Sequence, residues 1–128
     1  MDTISNFIIK LKNAGYANQE TVSVPFSKVK VAIAEVLKKE GFIKDFSQKS
    51  EKGKPVIEMS LLSENRIPKI KGVKRISRPS KRIYKKAEEI RAVKSGYGAL
   101  IVSTSAGVMT GREAKKNRLG GEALFTIW

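Results

Sequence analysis

The chain has 128 residues and a formal net charge of +14, because 26 lysines and arginines outnumber 12 aspartates and glutamates. Such a charge predicts a polyanionic partner, and nucleic acid and an anionic membrane surface are the two common classes. The chain contains no cysteine and no histidine, which excludes disulfides, thiolate metal sites, the commonest zinc ligand and the commonest general base.

The first half of the chain combines apolar residues at helical spacing with short runs in which apolar and polar residues alternate. A capping serine, Ser27, and two helix-terminating glycines, Gly15 and Gly41, mark the ends of the helical segments. The predicted elements are a helix over 2–15, a strand over 20–25, a helix over 27–41, and strands over 42–47 and 56–62 joined by a loop over 48–54.

A run of ten basic residues without an acid occupies positions 66–86. Apolar residues recur within it, so we predict ordered strand and turn, with Pro79 at a turn, rather than a free tail. Its basic residues are Arg66, Lys69, Lys71, Lys74, Arg75, Arg78, Lys81, Arg82, Lys85 and Lys86.

The last third is predicted to contain a short helix over 87–94, an apolar strand over 99–102 and a closing strand over 122–128. Thr110 and Glu113 have the spacing of a capping box, which predicts a basic helix through Arg118 that ends at the glycines 120 and 121. The order of elements predicts an α+β protein of two small α+β domains, 1–66 and 67–128. The first is helix-strand-helix-strand-strand, and the second has short helices and an antiparallel sheet.

The basic run is the first candidate RNA-binding feature, because lysines and arginines along strands and turns can follow phosphates. Tyr84 lies among these bases and is suited to stack on a base or ribose. The alternatives are a solvated basic surface and a Tyr84 packed in the core, which is an equally good interpretation of that tyrosine. The candidates in this run are Arg75, Arg78, Arg82, Lys85 and Lys86.

Two further candidates follow the predicted strand over 99–102. Ser103, Thr104 and Ser105 offer hydroxyls that suit structured RNA, and Gly107 lets backbone approach a ligand. Gly121 and Glu122 offer close backbone contact and a carboxylate that accepts from a cytosine amino group. The alternatives are an ordinary turn, which composition alone favours for 103–107, and a helix end followed by a strand for 120–122.

Other classes of function find little support. Acidic residues are scattered among lysines and arginines, so ion pairs in solvent explain them better than a metal site or an acid–base pair. No apolar run approaches the ~20 residues of a membrane span, and the N-terminus lacks the basic, apolar pattern of a signal peptide. We therefore expect a cytoplasmic protein without enzymatic activity, cofactor, metal or membrane partner.

Several specific motifs lie along the chain. The most specific is Val102-Ser-Thr-Ser-Ala-Gly-Val-Met-Thr110, followed by Glu113-Ala114 and Leu119-Gly-Gly-Glu122. The others are Asp2-Thr-Ile4, Lys12-Asn-Ala14, Ser27-Lys-Val-Lys30, Glu40-Gly-Phe-Ile43, Arg75-Ile-Ser-Arg-Pro79, Arg82-Ile-Tyr84 and Gly96-Tyr-Gly98. Together these motifs resemble the bacterial-type small-subunit ribosomal protein S8 family, and they occur in the family's order over nearly the whole chain.

The resemblance implies a structural constituent of the small ribosomal subunit that binds the central domain of its ribosomal RNA and helps to organise assembly. It implies that the serine-threonine-serine segment reads an irregular RNA helix, with Tyr84 and the Gly121–Glu122 end nearby. Lys28 and Lys30, within a matching motif, are counted as RNA-binding candidates. Ile9 and Lys10 replace the family's usual threonine and arginine. The first change removes a hydroxyl, and the second removes a guanidinium that can donate two hydrogen bonds at once to a phosphate.

The partners expected from the resemblance are small-subunit ribosomal RNA and neighbouring small-subunit proteins, with the free protein a monomer. Some relatives also repress their own messenger RNA, and the sequence is compatible with that activity and with its absence. The alternative from another class is an RNA-binding regulator that works outside the ribosome. Co-sedimentation with small subunits through a high-salt wash separates these two interpretations.

Overall fold

A computed structural model describes residues 3–17, 19–61, 63–64, 67–68, 70–78, 80–91 and 98–128. The chain divides into two compact units, an N-terminal unit over Thr3–Lys71 and a C-terminal unit that includes Gly72–Trp128. The predicted domains 1–66 and 67–128 put the boundary slightly earlier, and this boundary stays a prediction. The α+β class is confirmed, because helices and antiparallel sheets occur in both units.

The N-terminal unit has the predicted order of helix, strand, helix, strand and strand. Its elements are α1 (Thr3–Tyr16), β1 (Thr21–Pro25), α2 (Lys28–Lys39), β2 (Ile43–Glu51) and β3 (Lys54–Leu61), followed by the short strands β4 (Ser63–Glu64) and β5 (Ile67–Pro68). The first three strands form an antiparallel sheet in the order β1-β3-β2, and β4 pairs with β5.

Alternation along the strands and helical spacing along α1 and α2 place the apolar side chains of this unit in one core. On the sheet, Val22 lies opposite Met59 and Val24 opposite Ile57, and all four are buried. The helices contribute the buried residues Phe7, Ile8, Leu11, Ala14, Ile33, Ala34, Val36 and Leu37. The Ser27 hydroxyl accepts from the backbone N–H of Lys30, as the predicted N-cap requires.

The β2–β3 hairpin corrects the prediction of a loop over 48–54. Its strands continue to Glu51 and from Lys54, so the connection is the two-residue turn Lys52–Gly53. Both turn residues have positive φ, 52° and 77° respectively, as a tight hairpin turn requires. The residues before the turn are polar and exposed on both faces, so no apolar alternation marked them as strand.

The C-terminal unit is built around one antiparallel sheet. Its elements are β6 (Val73–Arg75), β7 (Tyr84–Lys85), a 3₁₀ helix (Ala87–Glu89), β8 (Ala99–Thr104), β9 (Gly107–Thr110), α3 (Gly111–Lys116) and β10 (Gly121–Ile127). The strand order is β6-β10-β8-β9, and β7 also pairs with β10. The strands β6 and β7 confirm, for the described residues, that the basic run forms ordered strand and turn.

Both faces of this sheet carry buried apolar side chains. One carries a core cluster in which Ile90 and Ala114 pack with Leu100, Val102, Met109 and Ala123. On the other face Ile101, Phe125 and Ile127 are fully buried. At the far end of β10, the backbone groups of Trp128 and Gly72 bond reciprocally at 3.0 Å. A Cβ on Gly72 would lie 2.6 Å from the indole, so the ring of Trp128 packs against this glycine.

Two predicted helices differ from those observed. The helix predicted over 87–94 is a 3₁₀ turn over Ala87–Glu89, after which Ile90 is extended and buried in the core. Residues 92–97 lie outside the described part. The helix predicted to reach Arg118 and to end at the glycines is α3, Gly111–Lys116, with the predicted Thr110 cap.

The end of α3 is made by Arg118 rather than by a glycine. Arg118 has φ of 56°, and its N–H donates to Lys115 O while the N–H of Leu119 donates to Ala114 O. These are the two hydrogen bonds of a Schellman motif, in which the residue with positive φ is usually glycine. Leu119 then packs against the core cluster, as the residue at this position often does.

Candidate nucleic-acid interface

Strand pairing brings three separately predicted segments together at one end of the C-terminal sheet. Glu122 on β10 lies opposite Tyr84 on β7 and opposite Ser103 on β8. The next row contains Lys85, Gly121, Thr104 and Gly107. Residues opposite one another on neighbouring strands share a face of the sheet. Tyr84, Glu122 and Ser103 therefore form one row on one face, although Tyr84 and Glu122 are 38 positions apart in sequence.

The predicted hydroxyl loop is a tight hairpin, which corrects its assignment as a loop over 103–107. Ser103 and Thr104 belong to β8, and Gly107 begins β9, so only Ser105 and Ala106 form the turn. The Thr104 hydroxyl donates to Gly107 O at 2.8 Å and accepts from the N–H of Ala106 at 3.1 Å. Thr104 therefore fixes the turn, while the side chain of Ser105 is exposed at its tip.

Gly107 has a conformational reason to be glycine. Its φ is +115°, and a Cβ built there would meet no atom within 4 Å. The open space excludes a requirement for close packing inside the protein, and the positive φ is one that side chains other than hydrogen rarely adopt. The glycine is therefore required by the backbone of the hairpin, and it leaves the surface beside the turn open.

The glycines 120 and 121, at the start of β10, are explained by close contacts with the protein's own backbone. A Cβ on Gly120 would lie 2.6 Å from Lys85 O, and a Cβ on Gly121 would overlap the carbonyl oxygen of Ser103. Their lack of a side chain thus lets β10 approach β7 and β8. This supports an internal role for Gly121 over the predicted close contact with RNA, and it places Glu122 between Tyr84 and Ser103.

The exposed surface at this end is suited to a nucleic acid. Tyr84 is 66% exposed, which argues against the alternative that it packs in the core and leaves its ring available for stacking. The side chain of Ser103 is half-buried. Tyr84 supplies an aromatic face, Glu122 an acceptor, and Ser103 and Ser105 hydroxyls that both donate and accept.

The basic loop beside this surface is fixed by a buried serine. Ser77 is 0% exposed, and its hydroxyl accepts from the N–H of Ile83 at 2.8 Å and bonds to Ile83 O at 3.2 Å. Arg78 and Lys81 pair through two backbone hydrogen bonds of 3.0 Å. The loop thereby presents Arg78 and Arg82 as exposed side chains. Arg66, Lys69 and Pro79 lie outside the residues whose side chains are described.

The other predicted contacts are placed differently. Lys86 is exposed and Lys85 half-buried next to Gly121. Arg75 lies on β6 opposite Phe125, away from the row of Glu122, and its guanidinium donates to Leu124 O at 3.2 Å. Arg75 therefore stabilises the sheet, and the structure does not bring it to the same end as Tyr84.

Lys28 and Lys30 lie in the N-terminal unit, at the start of α2. Lys28 is exposed. Lys30 is only 6% exposed, and its ammonium donates to Pro25 O at 3.2 Å. Burial, and secondarily the charge of Lys10, lowers the pKa of Lys30. The buried position gives Lys30 a structural role in joining α2 to β1, rather than the exposed position of a phosphate contact.

Two basic residues at the end of α3 were not predicted as RNA contacts. Lys115 and Arg118 line a groove together with Lys85 and Lys86. The prediction of a basic helix contained the signal, since four bases occur between Arg112 and Arg118. Nothing in the sequence indicated that this helix lies beside β7.

Across the described ranges, no group of three or more acidic, histidine or cysteine side chains is placed to hold a metal ion. No helix in the same part of the chain is long and apolar enough to cross a membrane.

Comparison with known proteins supplies the family. The model of the family described as ribosomal protein S8 matches residues 2–128. Proteins named small ribosomal subunit protein uS8 are similar over nearly their whole length. The one from Hahella chejuensis is 46% identical over 127 residues, covering 99% of this chain and 97% of its own.

Two further relatives with the same name agree. The protein of Thiobacillus denitrificans is 47% identical over 126 residues, covering 98% of this chain and 96% of its own. That of Bdellovibrio bacteriovorus is 42% identical over 129 residues and covers 100% of both chains. Because the family model matches residues 2–128 and these relatives are 42–47% identical over nearly the whole chain, this chain belongs to the ribosomal protein S8 family.

Proposed function

We propose that this chain is a structural constituent of the small ribosomal subunit and binds directly to the central domain of small-subunit ribosomal RNA. The observation that carries the proposal is the row formed by Tyr84, Glu122 and Ser103 beside the Ser105 turn. Family membership supplies the ribosome as the setting. The charge of +14 supplies the electrostatic reason for an RNA partner.

In this proposal the two kinds of side chain have different roles. Exposed bases such as Arg78, Arg82 and Lys86 contact phosphates, which gives affinity without base identity. The hydroxyls of Ser103 and Ser105 and the carboxylate of Glu122 contact base edges and ribose. Strand pairing fixes Ser103 and Glu122, and the hydrogen bonds of Thr104 fix the turn that carries Ser105. Tyr84 stacks on an unpaired base at the edge of the same row.

The proposal also covers where the protein acts and with which partners. The protein acts in the cytoplasm as a monomer that joins ribosomal RNA and then neighbouring small-subunit proteins, and it performs no catalysis. A messenger RNA that mimics the ribosomal site would occupy the same row of residues. Binding of the two RNAs to one protein molecule would then be mutually exclusive.

RNA footprinting with the purified protein on small-subunit ribosomal RNA tests the proposal. We expect protection confined to one irregular helical element of the central domain. Protection spread over all helices in proportion to their phosphates would contradict specific binding. Unlabelled messenger RNA for this protein, added as competitor, decides whether the messenger occupies the same site, which repression of translation by mimicry requires.

A further inference from the structure

A groove in the C-terminal unit contains RNA contacts predicted from the sequence together with basic residues that the sequence did not indicate as contacts. It has a volume of about 740 Å³ and runs between β7 with the 3₁₀ helix on one side and the end of α3 on the other. Four lining residues are basic, namely Lys85, Lys86, Lys115 and Arg118, and two are acidic, Glu88 and Glu89. The carboxylate of Glu89 already accepts from the backbone N–H of Lys86 at 2.9 Å.

Arg118, which lines the groove, has a backbone conformation that is unusual for an arginine. Arg118 ends α3 with φ of 56°, where glycine or asparagine is the residue of lowest conformational cost. Its side chain is exposed and, within the described ranges, no hydrogen bond or ion pair holds its guanidinium. The fold therefore does not require an arginine here, and the bonds that end the helix are made by backbone alone.

The neighbouring bases are partly fixed by the protein. The ammonium of Lys115 donates to Ile90 O at 3.2 Å, and Lys85 is half-buried where β7 pairs with Gly121. Arg118 thus adds a guanidinium with no partner in the described residues beside Lys115, whose ammonium the protein holds. A planar guanidinium presents several donors in a fixed fork, which matches the oxygens of a phosphate.

We propose that Arg118, together with Lys85, Lys86 and Lys115, binds the phosphate backbone of RNA in this groove. The inference rests on the proposed function and extends the same interface. The groove is connected to the hairpin turn through two glycines. Gly120 lines the groove, and the next residue, Gly121, pairs with Thr104, which precedes the turn. Lys85, Gly121 and Thr104 lie in the row next to that of Tyr84, on the opposite face of the sheet. A bound RNA strand therefore passes around the end of the sheet.

The test uses Arg118→Gly, which removes the guanidinium and relieves the positive φ. Binding of the full-length protein to a central-domain fragment of small-subunit ribosomal RNA is measured at several salt concentrations. We expect the affinity to fall roughly three- to tenfold, and the log–log salt slope to become shallower by about 0.7–0.9, the amount of one phosphate contact. The melting temperature should stay at or above that of wild type, since glycine is favoured at this φ.

Lys52→Gly is the matched control. Lys52 is the other non-glycine residue of positive φ among the described residues, at 52°, and it is an exposed base in the N-terminal unit. This variant loses one positive charge and gains the same backbone freedom. We expect its affinity to stay within about twofold of wild type and its salt slope to stay unchanged. Arg118→Lys, which keeps the charge, should retain the wild-type slope.

The outcomes separate the two proposals. A wild-type protein that shows no preference for the ribosomal fragment over a scrambled duplex would overturn the proposed function, and the groove would lose its ligand with it. A specific wild type with an Arg118→Gly variant of equal affinity and slope would overturn the groove alone. An equal loss in Lys52→Gly would also overturn it, because the effect would then be a general effect of net charge.

Discussion

Thr104→Val should mainly lower the stability of the protein, whereas Ser105→Ala should mainly lower its RNA specificity, although the two variants each remove one hydroxyl at adjacent positions. Thr104→Val keeps the shape of the side chain but removes both hydrogen bonds that its hydroxyl makes with Gly107 and Ala106. Each such bond contributes about 0.5–1.5 kcal/mol, and an exposed turn favours the lower values. We expect a loss of about 1–2 kcal/mol in the free energy of unfolding, or roughly 4–10 °C in melting temperature.

Ser105→Ala removes no hydrogen bond to the described residues and should change the free energy of unfolding by less than about 0.5 kcal/mol. Its RNA partner, however, is left unpaired in the complex, which costs about 1–3 kcal/mol, or roughly five- to 150-fold in dissociation constant. Circular dichroism gives the melting temperatures. Competition between the ribosomal RNA helix and a scrambled duplex gives the specificity. If Ser105→Ala unfolds early with its preference intact, the assignment of the two hydroxyls is wrong.

Three further predictions concern charge, packing and pH. If about five phosphates are contacted, the log–log salt slope of RNA affinity should lie between roughly −3 and −5, and a flat dependence in filter binding would refute the electrostatic argument. Trp128→Ala should lower the melting temperature more than RNA affinity measured well below it, because the ring packs on Gly72; the reverse order would place Trp128 in the interface. In urea titrations, the stability of wild type relative to Lys30→Met should rise as the pH rises towards 10.5. The reason is that burial lowers the pKa of Lys30 below that ordinary value, so that the folded state loses its proton before the unfolded state does. A relative stability that falls over this pH range would contradict this.

The helices and the main strands could be predicted because the apolar side chains that are buried recur in the sequence at the period of a helix or a strand. Leu11 and Ile33, for example, lie on apolar stripes that must be covered, and both are fully buried. The same reasoning failed where strands leave the core. Ser103 and Thr104 extend β8 without any apolar residue, because their pairing with β10 and β9, rather than burial, keeps them extended. The tip of the β2–β3 hairpin was missed for the same reason.

The candidate site was predictable as a set of residue types but not as an arrangement. Glu122 and Ser103 lie in separate segments, and only strand pairing makes them neighbours. Arg118 was missed because the usual signal for the end of a helix is a glycine, and two glycines follow it. Its positive φ depends on the hydrogen bonds of Leu119 and on the packing of that side chain into the core, which no local pattern reports.

The glycines 120 and 121 show how an internal constraint determines the geometry of an external site. A methyl group at Gly121 would overlap the backbone of Ser103, so any larger residue must push β10 away from β8. Glu122, the next residue, would then move relative to both Ser103 and Tyr84, whose own positions are fixed by β8 and β7. Specific recognition requires donors and acceptors at fixed separations. The paired glycines therefore act on RNA indirectly, because they set the distance between the side chains that we propose to contact it.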